Sequence, residues 1–128
     1  MKEGVRKIYI AHSLGYSERV LHYVKFLESL GHLVYFPMRD TKQEGTTPRD
    51  VLRQNLAGII WADEVHVIWN GKSYGTIFDL GNTYALGKPI RIIHVRTIEE
   101  EMSKLHKRSW YSYLYSNIGK TLEEYSNE

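Results

Sequence analysis

Four short runs rich in β-branched and aromatic residues recur along the chain: Lys7–Ala11, Leu33–Phe36, Val65–Trp69 and Ile90–Val95. A helix-forming segment separates each run from the next. Strands joined through helices do not pair as hairpins. They line up parallel, with right-handed crossovers that place helices on the faces of one sheet. The pattern predicts an α/β fold, a flavodoxin- or Rossmann-like doubly wound parallel sheet in three α/β/α layers. The expected strand order is about 2-1-3-4, with a fifth strand left open. A length of 128 residues suits one domain over 1–128.

The helices are legible from their apolar periodicity. Val20, Tyr23, Val24, Leu27 and Leu30 recur at helical spacing and predict a helix over Ser17–Leu30, stopped by Gly31. Thr47-Pro48-Arg49-Asp50 reads as a capped helix start, with Val51, Leu52, Leu56, Ile59 and Ile60 as its apolar face. Met38–Thr46 reads as a long polar loop. A third helix is expected over Ile77–Leu86 with Gly87 as its stop, and a fourth from Thr97 to about Lys107. Residues 109–128 form a C-terminal aromatic extension. Its Trp110, Tyr111, Tyr113, Leu114 and Tyr115 are too apolar for a loose tail, so they pack on the sheet or on a second subunit.

Composition removes several classes of function. Seventeen basic residues against fifteen acidic ones leave a net charge of +2, too balanced to argue for a polymeric nucleic acid. No apolar run approaches the ~18 residues of a membrane span, and the N-terminus shows no signal-peptide pattern. The absence of cysteine excludes disulfides and thiolate metal sites. Six histidines without ligand spacing predict no metal. The first turn carries neither a dinucleotide nor a P-loop fingerprint, and no cofactor is expected. The sequence therefore predicts a cytoplasmic protein that acts on a small molecule, as a homo-oligomer.

In a doubly wound sheet, ligands bind beyond the carboxyl ends of the strands where the winding reverses. The turns placed there are His12–Gly15 and Asn70–Thr76, with the loop after Phe36 overhanging them. Glycines at 71 and 75 permit close approach to the backbone. Asn70, Ser73 and Thr76 offer donors and acceptors suited to ribose or a carboxylate. Free amides at the start of the third helix favour an oxygen-rich ligand. Tyr9, His12, Gly15 and Arg39 complete the candidate binding set, Arg39 as a bidentate phosphate donor. Asp79 has two readings. With Thr76 as the cap it closes an approximate capping box; facing the cleft it is a catalytic carboxylate.

Ile8-Tyr9-Ile10-Ala11, Asn55 with Ile59-x-x-Ala62-Asp63, and Gly75-Thr76-x-x-Asp79-Leu80-Gly81-x-x-Tyr84-Ala85-Leu86-Gly87-Lys88-Pro89 together resemble the nucleoside 2-deoxyribosyltransferase superfamily over roughly the first 95 residues. The resemblance implies a flavodoxin- or Rossmann-like fold and cleavage or transfer at the N-glycosidic bond of a nucleoside or nucleotide. In the transferases the block usually reads Asp-x-Gly-Thr-x-x-Glu-x-Gly, with the Glu as nucleophile. Asp79 stands at the Glu position and Ser73 at the preceding Asp. Asn70 lies at the strand end, where the family often has another acid. The resemblance thus implies Asp79 as the catalytic group. The alternative is a non-catalytic nucleotide-binding or sensing module of the same fold.

Overall fold

A computed structural model describes residues 4–13 and 17–95. Its elements are β1 (Lys7–His12), α1 (Ser17–Ser29), β2 (Leu33–Tyr35), α2 (Pro37–Asp40), α3 (Pro48–Trp61), β3 (Glu64–Trp69), α4 (Tyr74–Ala85) and β4 (Ile90–Val95). The four strands form one parallel sheet in the order β2-β1-β3-β4. That is the doubly wound arrangement the strand–helix alternation requires. The fifth strand left open, the fourth helix and the aromatic extension lie outside the described residues.

Alternation along the strands divides the core in two. Ile8, Ile10, Val34, Ile68 and Ile93 face α1 and pack on Val20, Tyr23, Val24 and Leu27. Tyr9, Ala11, Val65, Val67, Trp69 and Ile92 face the opposite way, against Ile59 of α3 and Leu80 of α4. The sheet is therefore covered on both faces, as all-parallel sheets are. A register shift between Val67 and Ile68 breaks the β3–β4 ladder at the carboxyl end.

Some boundaries, and the buried face of α3, differ from the sequence reading. The loop after Phe36 opens with a short helix, because Pro37 presets the first helical position and the Asp40 carboxylate accepts from the Phe36 amide. β3 begins at Glu64, one residue early. α4 begins at Tyr74 rather than Ile77, because Ser73, not Thr76, is its cap. Leu52, Leu56 and Ile60 of α3 are exposed; the helix turns Gly58 and Ile59 to the sheet instead. The start of α3 is as expected, with Thr47 and Asp50 in a reciprocal capping box.

Candidate active site

β1 and β3 end side by side at the point where the winding reverses, and their turns are tied together. The Ser13 amide donates to the Ile68 carbonyl at 3.1 Å. Ser13 Oγ accepts from the Asn70 amide at 3.1 Å and lies 3.3 Å from Thr76 Oγ1. Ser13 is fully buried. It fixes the spacing of the two turns, although the sequence offered it only as one polar residue in a turn.

The turn from β3 into α4 is built by its own polar side chains. Asn70 Oδ1 accepts from the amides of Lys72 and Ser73, at 2.8 and 2.9 Å, in an Asx turn. Gly71 takes a φ of +81°, which residues with a Cβ adopt only under strain. Trp69 Nε1 donates to the Ser73 carbonyl at 2.8 Å. Ser73 Oγ then caps α4 by accepting from the Thr76 amide at 3.4 Å, and from Thr76 Oγ1 at 3.2 Å. Asn70, Ser73 and Thr76 are thus committed to shaping the turn. Gly75 sits in the first turn of α4, where a methyl group would meet nothing closer than Ser73 Oγ at 3.8 Å.

With Ser73 as cap, Asp79 lies in the second turn of α4, out of reach of a capping role. Its side chain points to the sheet instead, where Tyr9 Oη donates to Asp79 Oδ2 at 2.9 Å. Both residues are buried, Asp79 retaining 9% of its surface. Asp79 Oδ1 has no hydrogen-bond partner among the described residues. Burial disfavours the ionised form and pushes the Asp79 carboxyl up to about 6, against a smaller opposing effect of the Tyr9 hydrogen bond. The Tyr9 phenol is raised well above its ordinary value by burial and by the neighbouring carboxylate, so it stays a proton donor.

Tyr9 is held by a second set of contacts. The β1–β2 register places it beside Tyr35, and the two rings stack with centroids 5.5 Å apart and planes 13° from parallel. Tyr35 Oη lies 2.7 Å from Thr41 Oγ1, which donates to Asn55 Oδ1 at 2.6 Å. α3 crosses these rings at Gly58. A Cβ there would stand 3.0 Å from Tyr9 Cδ2 and 3.1 Å from the Tyr35 ring, so the helix approaches this closely only without a side chain.

The remaining candidates are placed elsewhere. His12 faces the α1 side, opposite Tyr9, with its ring 4.8 Å from Phe36. Its Nδ1 is buried without a partner among the described residues, and burial lowers its basicity so that it is neutral. Arg39 bonds to Glu28 at 3.0 Å, Asp40 at 2.8 Å and the Val34 carbonyl at 3.0 Å. It staples α2 to α1 and does not converge with Asp79. Gly15 lies outside the described residues. No cluster of three or more His, Asp or Glu side chains suited to a metal occurs among the described residues. Nor is any helix there long and apolar enough to cross a membrane.

A parallel 2-1-3-4 sheet with a helix-borne carboxylate at its switch point defines the class: a doubly wound α/β domain with its candidate site at the carboxyl edge. The same fold occurs in the solved structure of a 2-deoxyribosyltransferase from the psychrotolerant bacterium Bacillus psychrosaccharolyticus. That likeness has a TM-score of 0.62 and 24% identity, and covers 94% of this chain and 90% of that one. It occurs too in the CMP N-glycosidase BcmB of Clostridium botulinum, with a TM-score of 0.64, 18% identity and 94% of each chain covered. No protein-family model matches the chain, and no curated protein matches it. The likeness is one of fold.

Proposed function

We propose that this protein cleaves or transfers at the N-glycosidic bond of a nucleoside or nucleotide, with Asp79 as the reacting carboxylate. The observation that carries this reading is the Tyr9–Asp79 pair: one carboxylate oxygen is held by a phenol and the other has no partner among the described residues. A carboxylate so placed attacks the anomeric carbon, forming a C–O bond as the C–N bond breaks, while the departing base takes up a proton. Transfer to a second base or to water then regenerates Asp79. Alternatively the carboxylate stabilises an oxocarbenium-like centre while water attacks directly. The two neighbours, a deoxyribosyltransferase and a CMP N-glycosidase, support this class of reaction. The amides at the start of α4 and the turn around Gly71 are the proposed contacts for the sugar or phosphate oxygens.

The test is release of free base from deoxynucleosides, deoxynucleoside monophosphates and CMP, with and without an acceptor base. Release that requires Asp79 supports the assignment. Release that persists in Asp79→Ala removes Asp79 from the role.

A second reading, a nucleotide-binding module without turnover, is favoured by one observation. Asn70 and Ser73, at the positions where the resembling transferases carry acids, are consumed in the turn's own hydrogen bonds. Tight binding by calorimetry with no base released selects this reading. Cytoplasmic location and homo-oligomeric assembly are part of the proposal. Light scattering of the full chain, and of a chain ending at Lys107, reads whether the aromatic extension sets the oligomer.

A further inference from the structure

Between Tyr74 and Ala85, α4 carries a single charged side chain, and that one, Asp79, is buried toward the sheet. The opposite side of the helix is apolar. Tyr74, Phe78, Gly81 and Ala85 recur at helical spacing and share that side, and all four are exposed. Tyr74 retains 90% of its surface and Phe78 52%. α3 packs beside α4 and turns Leu52, Leu56 and Ile60 outward, again at helical spacing. A surface helix ordinarily carries charge on its outer face. Here the outer face has none.

Gly81 has no internal reason to be glycine. It lies inside α4 without a positive φ, and a Cβ there would meet nothing within 4 Å. Glycine inside a helix lowers its stability relative to alanine. What the missing side chain provides is a shallow seat on the outer face, open to close approach from outside.

Along this face the residues run large, large, small, small. A second copy of α4 laid antiparallel across a two-fold axis brings each Phe78 over the partner's Gly81 and each Tyr74 over the partner's Ala85. A parallel copy would set Phe78 against Phe78 and leave a gap at Gly81. We propose that the outer face of α4, flanked by Leu52, Leu56 and Ile60 of α3, is the seam of an antiparallel two-fold dimer of this chain. The seam names the surface for the homo-oligomeric assembly proposed above and rests on that reading.

A second copy is the occupant because the face is complementary to itself in size and holds no charge for a copy to repel. Its half-exposed aromatic and aliphatic side chains offer roughly 100 Å² each. With the small residues between them they approach the ~800 Å² that each partner gives to a stable interface. A patch of several hundred Å² is more than a monomer ordinarily leaves bare. Asp79 sits on the far side of the same helix, so the seam lies behind the candidate site and leaves it open.

The experiment is sedimentation equilibrium of the full chain without substrate, with circular dichroism as the control for folding. The parent is expected to be a dimer. Phe78→Glu places two charges in the seam and should weaken association about a hundredfold or more, while the fold is kept because Phe78 is exposed. Gly81→Phe fills the seat and should weaken it as well. Phe78→Ala combined with Gly81→Phe exchanges large for small on both copies and should recover the dimer. A monomeric parent overturns the seam and the assembly reading together. A dimer indifferent to Phe78→Glu overturns the seam alone, and its loss in a chain ending at Lys107 assigns the interface to the aromatic extension. A double variant that stays monomeric overturns the antiparallel register. Association is read without substrate, so none of these outcomes depends on base release or on the role of Asp79.

Discussion

Tyr9 and Asp79 stand seventy positions apart in sequence and share one hydrogen bond of 2.9 Å beneath the switch point of the sheet. The phenol orients the carboxylate and opposes the effect of burial on its ionisation. A carboxylate that titrates at about 6 is an attacking group above that pH and an inert acid below it. Base release should therefore rise with pH through about 6. Tyr9→Phe removes a bond that favours the charged form, which should move this limb to higher pH by about one unit or more. The pH profiles of the two proteins measure the shift, and coincident profiles would separate Tyr9 from Asp79.

The same pair affects stability. The folded-state pKa of Asp79, about 6, lies above the ordinary value of 3.8. Between these values the folded protein binds more protons than the unfolded chain, so stability falls as pH rises across this window and stays reduced above it. The difference corresponds to something on the order of 3 kcal/mol. Asp79→Asn keeps an acceptor for Tyr9 and carries no charge. It should be more stable than the parent at pH 8, with the gap closing as pH falls toward 4. Urea unfolding at both pH values measures this, and a variant less stable than the parent at pH 8 contradicts it.

Gly58 controls the position of Tyr9 from the other side. In Gly58→Ala the new methyl group stands 3.0 Å from one stacked ring and 3.1 Å from the other, and rigid rings yield poorly. The overpacking should destabilise by about 1–3 kcal/mol, partly offset by the better helix propensity of alanine, about 1 kcal/mol. Tyr35→Leu in the same chain relieves one contact. The double variant should recover part of the loss, which a double-mutant cycle in urea detects as coupling. Additive losses would mean that the helix simply moves away.

The fold was legible because each strand carries β-branched residues and each helix a repeating apolar face, both local signals. The parallel order follows from connectivity. The position of Asp79 was legible only as a choice between cap and catalyst, since Ser73 and Thr76 both suit a helix start. The choice turned on whether the Trp69–Ser73 and Asn70 hydrogen bonds close the turn early, which depends on three-dimensional geometry. His12 and Tyr9 look equally eligible in sequence, yet odd spacing in a strand sends them to opposite faces. Ser13, Tyr35 and Gly58 carry no chemical motif. The alternation that puts Tyr9 toward α3 could have singled out Tyr35, had the β1–β2 register been known. Leu52, Leu56 and Ile60 misled because apolar residues on two sides of α3 give more than one face that fits the helical period.

Glu64 provides the opposite titration to Asp79. His66 first, and Arg6 after it, hold the Glu64 carboxyl at about 2, below its ordinary 4.5, despite partial burial. A depressed folded-state pKa gives stability that is fully present above the unfolded value and lost as pH falls from about 4.5 to about 2. Glu64→Gln removes this dependence and leaves Arg6, whose side chain is 56% exposed, to rehydrate. It also removes the carboxylate that favours protonation of His66, so the histidine resists charging more strongly in the variant. The variant should be less stable than the parent at pH 7, and the difference should shrink as both are acidified from 4.5 toward 2. Acid unfolding of the two chains, followed by circular dichroism, measures that convergence. A constant difference across the window would show that the Arg6–Glu64–His66 bonds contribute nothing specific to the ionised state.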